Sequence, residues 1–437
     1  MKYLLRLLCV IGLVCGFGGL SALPAYAVGL LRDADIEFAL SELSKPILTA
    51  AGLSSQQVRI LVVDDMDLNA FVIDSRHIFV HAGLLLRTQT PEQVQAVIAH
   101  EAAHIANGHF ARRIQNMQTA RSAAAFGTAL AIAAAATTGQ GEAATGLAIG
   151  IGSAAQRQFL AHSRAEESSA DSSALGYMVR AGVDPRGMKE MLDIFVGQEN
   201  LTRGRQDPYV RSHPISRDRA RNVDAQSGAY PKQATRNDAR YWHGRAIGKL
   251  SAFLRSPQWT LRRAGESVSK DIAYMRRAVA LSRQGDVNAA MAELDRALQL
   301  RPKDPFLLDL QAELLMRNRQ FARAAKIYAQ AAKYAPKDPI ILAGLGRAHL
   351  AAGQPKAAVT ALSKARDRDF RSASLLRDLA QAYAKTGNMP MASLLTAERY
   401  ALQGKLEDAK LHAERAAGQL PRGAPSWQRA QDILSFR

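Results

Sequence analysis

The chain has 437 residues, 48% of them hydrophobic and 22% charged, and its 57 Lys and Arg against 39 Asp and Glu give a formal net charge of +18. That length exceeds one compact core and implies two or three domains, while the apolar content excludes wholesale disorder. Both cysteines, Cys9 and Cys15, lie close to the N-terminus, so a metal site further along must be built from His, Asp and Glu.

Residues 1–27 read as a signal peptide. Lys2 and Arg6 form a basic start, an apolar run reaches Leu20, and Ala25-Tyr26-Ala27 is a small-x-small cleavage signal, with cleavage after Ala27. The run is too short and too broken by glycine for a membrane anchor. Its removal takes the charge from +18 to +16. For an exported chain so basic, anionic lipid surfaces or acidic envelope polymers are the fitting partners; nucleic acid is not expected, and no motif for reading bases is present.

From Val58 to Leu86 the runs "VRILVVDD", "NAFVI" and "HIFVHAGLLL" read as strands. Thr90-Pro91-Glu92-Gln93 then gives an N-cap, a proline at N1 and a capping-box Gln, opening a helix from about Pro91 past His109 to Ile114 or beyond. Residues 122–155, rich in Ala and Gly, read as a close-packed helical hairpin or as a membrane-touching pair; Gln140, Gly141 and Glu142 interrupt a full span and favour the hairpin. A helix from about Gln158 to Ala181 precedes an Arg-rich loop around "RSHPISRDRARN", and residues 225–268 read as a polar connection.

The last part repeats. Ala278, Ala312, Gly346 and Ala380 fall 34 apart, as do Ala290, Ala324, Ala358 and Ala392, and Ala297, Ala331 and Ala365; Pro302 and Pro336 each follow their alanine by five. A 34-residue period with small residues where two helices cross is the tetratricopeptide (TPR) signature. The spacing then resumes half a repeat out of phase at Ala397, Ala409, Ala416 and Pro421, so one helix serves two units, giving four to five units and an atypical end near "APSWQRAQDILSFR".

Within the helix after Thr90, "AVIAHEAAHIANGH" places His100 and His104 four apart, on one face and able to reach one metal ion. Glu101 lies about 100° round the helix and can reach a water that zinc acidifies. An HExxH stretch alone also fits an ordinary buried helix. "SRAEESSADSSALGYM" adds Glu167 and Asp171, again four apart: a third metal ligand, and a carboxylate able to fix a ligand histidine's tautomer. Glu166 reads as part of a solvated face, His109 as structural, and His77, His81 and His162 as packing or surface residues.

These residues carry a resemblance. "NAFVIDSRHIFVHAGLL", "AHEAAHIANGH", "SRAEESSAD" and "SHPISRDR" resemble the successive motifs of the periplasmic TPR-containing zinc metalloproteases of the BepA/YfgC type, in the HtpX-like class of gluzincins. Ser75-Arg76 departs from the glycines the family often has there. The resemblance implies a mainly α chain, with a zincin-like α+β metalloprotease domain over residues 28–255 and an α-helical TPR solenoid over 268–437. It implies Zn²⁺ on His100, His104 and Glu167, with Glu101 as base and Asp171 supporting a ligand. His213 and Arg219 match loop positions near the metal, where His213 could take the open coordination site or contact the oxyanion. The strand around His77 to Val80 is the candidate edge for pairing with substrate. The implied function is a periplasmic zinc endopeptidase that degrades misfolded or unassembled envelope proteins in outer-membrane protein quality control. Its TPR domain would bind substrates or the assembly machinery, with peripheral membrane contact. The alternative is a TPR chaperone or adaptor with a latent protease site.

Overall fold

The computed structural model of the chain describes residues 29–112, 163–195, 197–198, 201 and 205–435. The signal peptide, the 122–155 hairpin, His162 and the expected helix beyond Arg112 lie outside these residues.

A four-stranded sheet opens the fold: β1 (Leu30–Leu31), β2 (Arg59–Val63), β3 (Ala70–Val72) and β4 (His77–His81), in the order β1-β2-β4-β3. β2 and β4 run parallel, with Arg59 opposite His77 and Val63 opposite His81, and β3 lies antiparallel to β4. β4 is therefore an inner strand whose backbone is paired on both sides, and among the described strands the edge next to it is β3, whose three residues are buried. This corrects the assignment of the substrate edge to His77–Val80. Phe71 faces Phe79 in the β3–β4 ladder, and His81 N–H donates to the Asn69 carbonyl, so Ala70 and Val72 direct their backbone groups outward.

The run "HIFVHAGLLL" does not stay a strand. It turns after His81 into helix α2 (Ala82–Arg87), following α1 (Ala34–Ala50) in chain order. Gly83 permits the turn, since a Cβ there would stand 2.0 Å from the Met66 carbonyl oxygen. Helix α3 (Pro91–Ala106) starts as expected, Thr90 accepting from Gln93 N–H, although the Gln93 side chain accepts from Gln89 N–H instead of the cap residue. α3 ends at Ala106, short of the expected length, because Gly108 takes φ +67, and helix resumes at His109 through the last described residue of this stretch, Arg112. Next comes α4 (Arg164–Arg180), opened by a complete capping box between Ser163 and Glu166. Glu166 is thus a capping residue, which its reading as solvated surface missed. α1, α3 and α4 pack with the sheet around Leu40, Ile47, Val62, Ile78, Val97 and Met178. α5 (Arg186–Asp193) closes this core beside α3.

The Arg-rich stretch is not a loop throughout. α6 (Pro208–Ser212) and α7 (Arg217–Gly228) flank a short bend, and Ser216 caps α7 by accepting from Arg219 N–H. Nor is 225–268 a polar connection. It contains α8 (Asn237–Leu254) and α9 (Pro257–Arg263), and α8 packs against both α1 and α10 (Lys270–Arg283). Its charges mislead a sequence reading because the fully buried Arg245 and Lys249 are neutralised on site. Arg245 meets Asp35 at 2.6 Å and Asp304 at 2.6 Å, and Lys249 meets Asp33 at 2.9 Å.

The repeats are helix pairs. α10 packs on α11 (Val287–Leu300), α12 (Pro305–Arg317) on α13 (Phe321–Tyr334), α14 (Pro339–Ala351) on α15 (Pro355–Arg366), and α16 (Ala373–Lys385) on α17 (Met389–Leu402). α17 also packs closely against α18 (Leu406–Ala417), so it serves two units, and α19 (Pro425–Leu434) ends the described solenoid. The small residues sit where helices cross: Ala290, Ala324 and Ala358 are wholly buried, and a Cβ on Gly346 would stand 2.3 Å from Leu362 Cγ.

Candidate metal centre

His100 and His104 project from one face of α3, and α4 brings Glu167 against them; all three are fully buried. His100 Nε2 lies 3.1 Å from His104 Nε2. Glu167 reaches His100 Nε2 at 3.4 Å and His104 Nε2 at 3.4 Å. The residue after α6, His213, turns inward and places Nδ1 3.3 Å from His100 Nε2 and 3.0 Å from Glu167 Oε1. His213 and Arg219 are both buried, 1% and 3% exposed.

The donor set fits a divalent ion. Four N and O ligands at about 2.1 Å in a tetrahedron stand roughly 3.4 Å apart, close to the separations above. His100, His104, Glu167 and His213 form a cluster whose ligand atoms lie within 4.8 Å of one another, and among the described residues it is the one group of His, Cys, Asp and Glu arranged this way. His100 Nδ1 lies 3.0 Å from Asp171 Oδ1, within ion-pair reach of a carboxylate. His104 Nδ1 lies 2.9 Å from His109 Nδ1, so His109 orients a ligand-bearing ring where sequence suggested only a structural part.

Glu101 is also fully buried, and neither carboxylate oxygen has a hydrogen-bond partner; His213 Nε2 lies 3.5 Å from its Oε1. Burial pushes its pKa up, against the opposing pull of His213 and His100. Glu167 is also penalised by burial, but the charges of His213 and His100 outweigh it and hold its carboxyl well below the usual range. Arg219 stands behind this layer. Its Nη1 meets Glu167 Oε2 at 2.6 Å and its Nε meets Asp171 Oδ2 at 2.6 Å, so it clamps two carboxylates together and does not face the ligand cluster's centre.

Sequence reasoning missed Tyr209. Its ring stacks on His213, centroids 4.5 Å apart and planes at 28°, and on Phe195 at 4.8 Å. Its hydroxyl is buried without a partner, and its backbone N–H donates to the Leu68 carbonyl ahead of β3 at 3.1 Å. The only advance signal was an aromatic four residues before the loop histidine. His77 instead pairs with Asp74 at 2.8 Å, and His81 is buried next to Asn69, both away from the cluster as expected.

Two buried histidines and a carboxylate from a crossing helix, next to a free carboxylate, define a metalloendopeptidase domain, here joined to a tetratricopeptide solenoid. Residues 31–227 match Peptidase family M48, and residues 272–304 and 315–378 match tetratricopeptide repeats, so the chain carries an M48 peptidase domain followed by TPR units. It is 24% identical to the beta-barrel assembly-enhancing protease of Escherichia coli (strain K12) over 90% of this chain and 81% of that one. It is 26% identical to the Yersinia pestis protein of that name over 80% of this chain and 72% of that one. The metalloprotease LoiP of Escherichia coli (strain K12) is 29% identical over 44% of this chain and 73% of its own. No described helix is long and apolar enough to cross a membrane.

Proposed function

We propose that the chain is a zinc endopeptidase of the periplasm that degrades misfolded or unassembled envelope proteins in outer-membrane protein quality control. The observation that carries this reading is the convergence of His100, His104 and Glu167 from two helices on one buried point, with the unpartnered Glu101 beside it. The relatives' name, beta-barrel assembly-enhancing protease, supports the choice of substrate class. The protease domain takes residues 28–255 and the repeats take 268–437, holding substrates or assembly partners. Export follows cleavage after Ala27, and the basic mature chain favours peripheral contact with anionic membrane.

His100, His104 and Glu167 would hold zinc, which when bound would supply a Lewis acid for a scissile carbonyl and for water. Glu101 takes the proton from the attacking water and passes it to the leaving amine, a role that suits a buried carboxylate with raised pKa. Asp171 orients the His100 ring, and Arg219 positions Glu167 and Asp171. The outward backbone groups of Ala70 and Val72 pair with an extended substrate by β-augmentation.

A second reading, a chaperone or adaptor with a latent site, draws on one observation: His213 Nδ1 completes the ligand cluster and closes it to substrate. Metal analysis of the purified mature chain tests the primary reading. Wild type carries about one zinc per chain and Glu167→Ala loses most of it; equal metal in the two would overturn it.

A further inference from the structure

An open cleft of about 1160 Å³ lies between the protease domain and the repeats, walled by α1 and the start of β2 on one side and by the turns before α12 and α14 on the other. It is larger than the roughly 300–1,000 Å³ of small-molecule pockets. Its floor is aromatic. Phe38 packs its ring against Trp242 at 5.2 Å and Phe306 at 4.8 Å, yet remains 38% exposed, and Leu300 and Tyr334 stand 53% and 42% exposed along the opposite wall. Apolar rings left in water beside a concave wall mark a surface that gains by being covered.

The charges around the cleft select the cover. Each lining carboxylate is already engaged. Glu37 pairs with Arg32 and Arg59, Asp304 pairs with Arg245 and caps α12, and Asp338 caps α14 by accepting from Ile340 and Ile341 N–H. Lys303 and Lys337 line the same cleft, are exposed, and have no carboxylate within ion-pair distance among the described residues. They occupy the same place in successive repeats, "RPKDP" and "APKDP", 34 residues apart, and Arg368 adds a further cation beside the aromatic floor.

We propose that this cleft binds an extended polypeptide segment in which aromatic or aliphatic side chains alternate with carboxylates. The apolar side chains would cover Phe38, Leu300 and Tyr334, and the carboxylates would meet Lys303 and Lys337. Concavity favours a strand of polypeptide over a membrane, which needs a protruding apolar patch. The proposal rests on the reading of the repeats as a binding domain and deepens it, because a segment held here touches protease and solenoid together.

The test uses the full mature chain carrying Glu101→Gln and a short benzophenone-bearing peptide that alternates phenylalanine and glutamate. Its counterpart with lysine for glutamate and anionic phosphatidylglycerol vesicles serve as comparison probes. The expected result is photocrosslinking to Tyr334 and its neighbours in the cleft. Affinity for the acidic peptide should fall about tenfold in Lys303→Glu/Lys337→Glu, while the lysine peptide binds that variant better than wild type. Both sites are exposed, so the fold is retained. Crosslinks on other helices of the solenoid would sink the cleft and leave the binding-domain reading standing; crosslinks confined to protease residues outside the cleft would sink both. Equal affinity for the two peptides, or vesicle binding that the double variant abolishes while the peptide does not bind, also overturns the proposal.

Discussion

Tyr209 holds His213 from two directions: its ring stacks on the imidazole with centroids 4.5 Å apart, and its carbonyl accepts the His213 N–H at 2.7 Å. The same residue donates its N–H to Leu68, just ahead of the edge strand β3. The histidine that closes the ligand cluster is thus tied to the edge on which an extended substrate would pair. His213→Ala should raise hydrolysis of a short unstructured peptide several-fold with metal content unchanged, and Tyr209→Leu should move activity the same way. A fall in kcat for His213→Ala would mean the imidazole serves the reaction and does not block it.

Glu101→Gln keeps the side-chain volume and removes the proposed proton acceptor. Because Glu101 contacts no ligand carboxylate and forms no hydrogen bond, the neighbours need not rearrange. Metal content and melting temperature should match wild type, while peptide cleavage falls by about 10²–10⁴. Residual activity within tenfold of wild type would assign the base to another group.

Asp171 and Arg219 flank the proposed ligands. Asp171→Asn removes the charge facing His100 Nδ1, and metal affinity should drop about 10–100-fold in competition with a chromogenic chelator. Arg219→Leu leaves two buried carboxylates without their cation and should cost about 3–5 kcal/mol of stability by denaturant unfolding. An unchanged chelator titration for Asp171→Asn would remove it from the site.

Where local pattern and tertiary packing agreed, the sequence was legible. The 34-residue alanine series lands on buried helix crossings, and the two four-residue spacings bring His100, His104, Glu167 and Asp171 together. What was misread depended on partners distant in sequence. Strand order put β3 and not β4 at the edge, which no reading of the His77–Val80 stretch alone could decide. Arg245 and Lys249 made α8 look like linker because charge normally marks solvent, and their counterions Asp33, Asp35 and Asp304 sit far away along the chain. Tyr209 acts through a ring stack that leaves no spacing motif.

The joint between the two domains yields its own prediction. Arg245 is 1% exposed and bridges Asp35 of α1 to Asp304 at the start of α12. Arg245→Ala removes the buried cation that Asp35 and Asp304 share and should cost about 3–5 kcal/mol. Calorimetry should then resolve two melting transitions where wild type gives one, since the protease domain and repeats lose one of the ion pairs that join them, Arg32–Asp369 being another. A single transition at the wild-type temperature would refute the coupling.

His243 makes stability depend on pH. It is buried in α8, and because Thr88 donates its hydroxyl to the Leu85 carbonyl, His243 Nε2–H donates to Thr88 Oγ1 at 3.3 Å. Burial pushes its pKa down to about 4 from 6.5. The folded ring therefore stays neutral between those values while the unfolded chain takes up a proton. The unfolded state binds more protons across that window, so stability falls as pH drops from about 6.5 toward 4 and is unaffected by this group above it. His243→Phe removes the titration. Denaturant midpoints at pH 7 and pH 5 should lie closer together in the variant than in wild type, and an unchanged gap would place the acid sensitivity elsewhere.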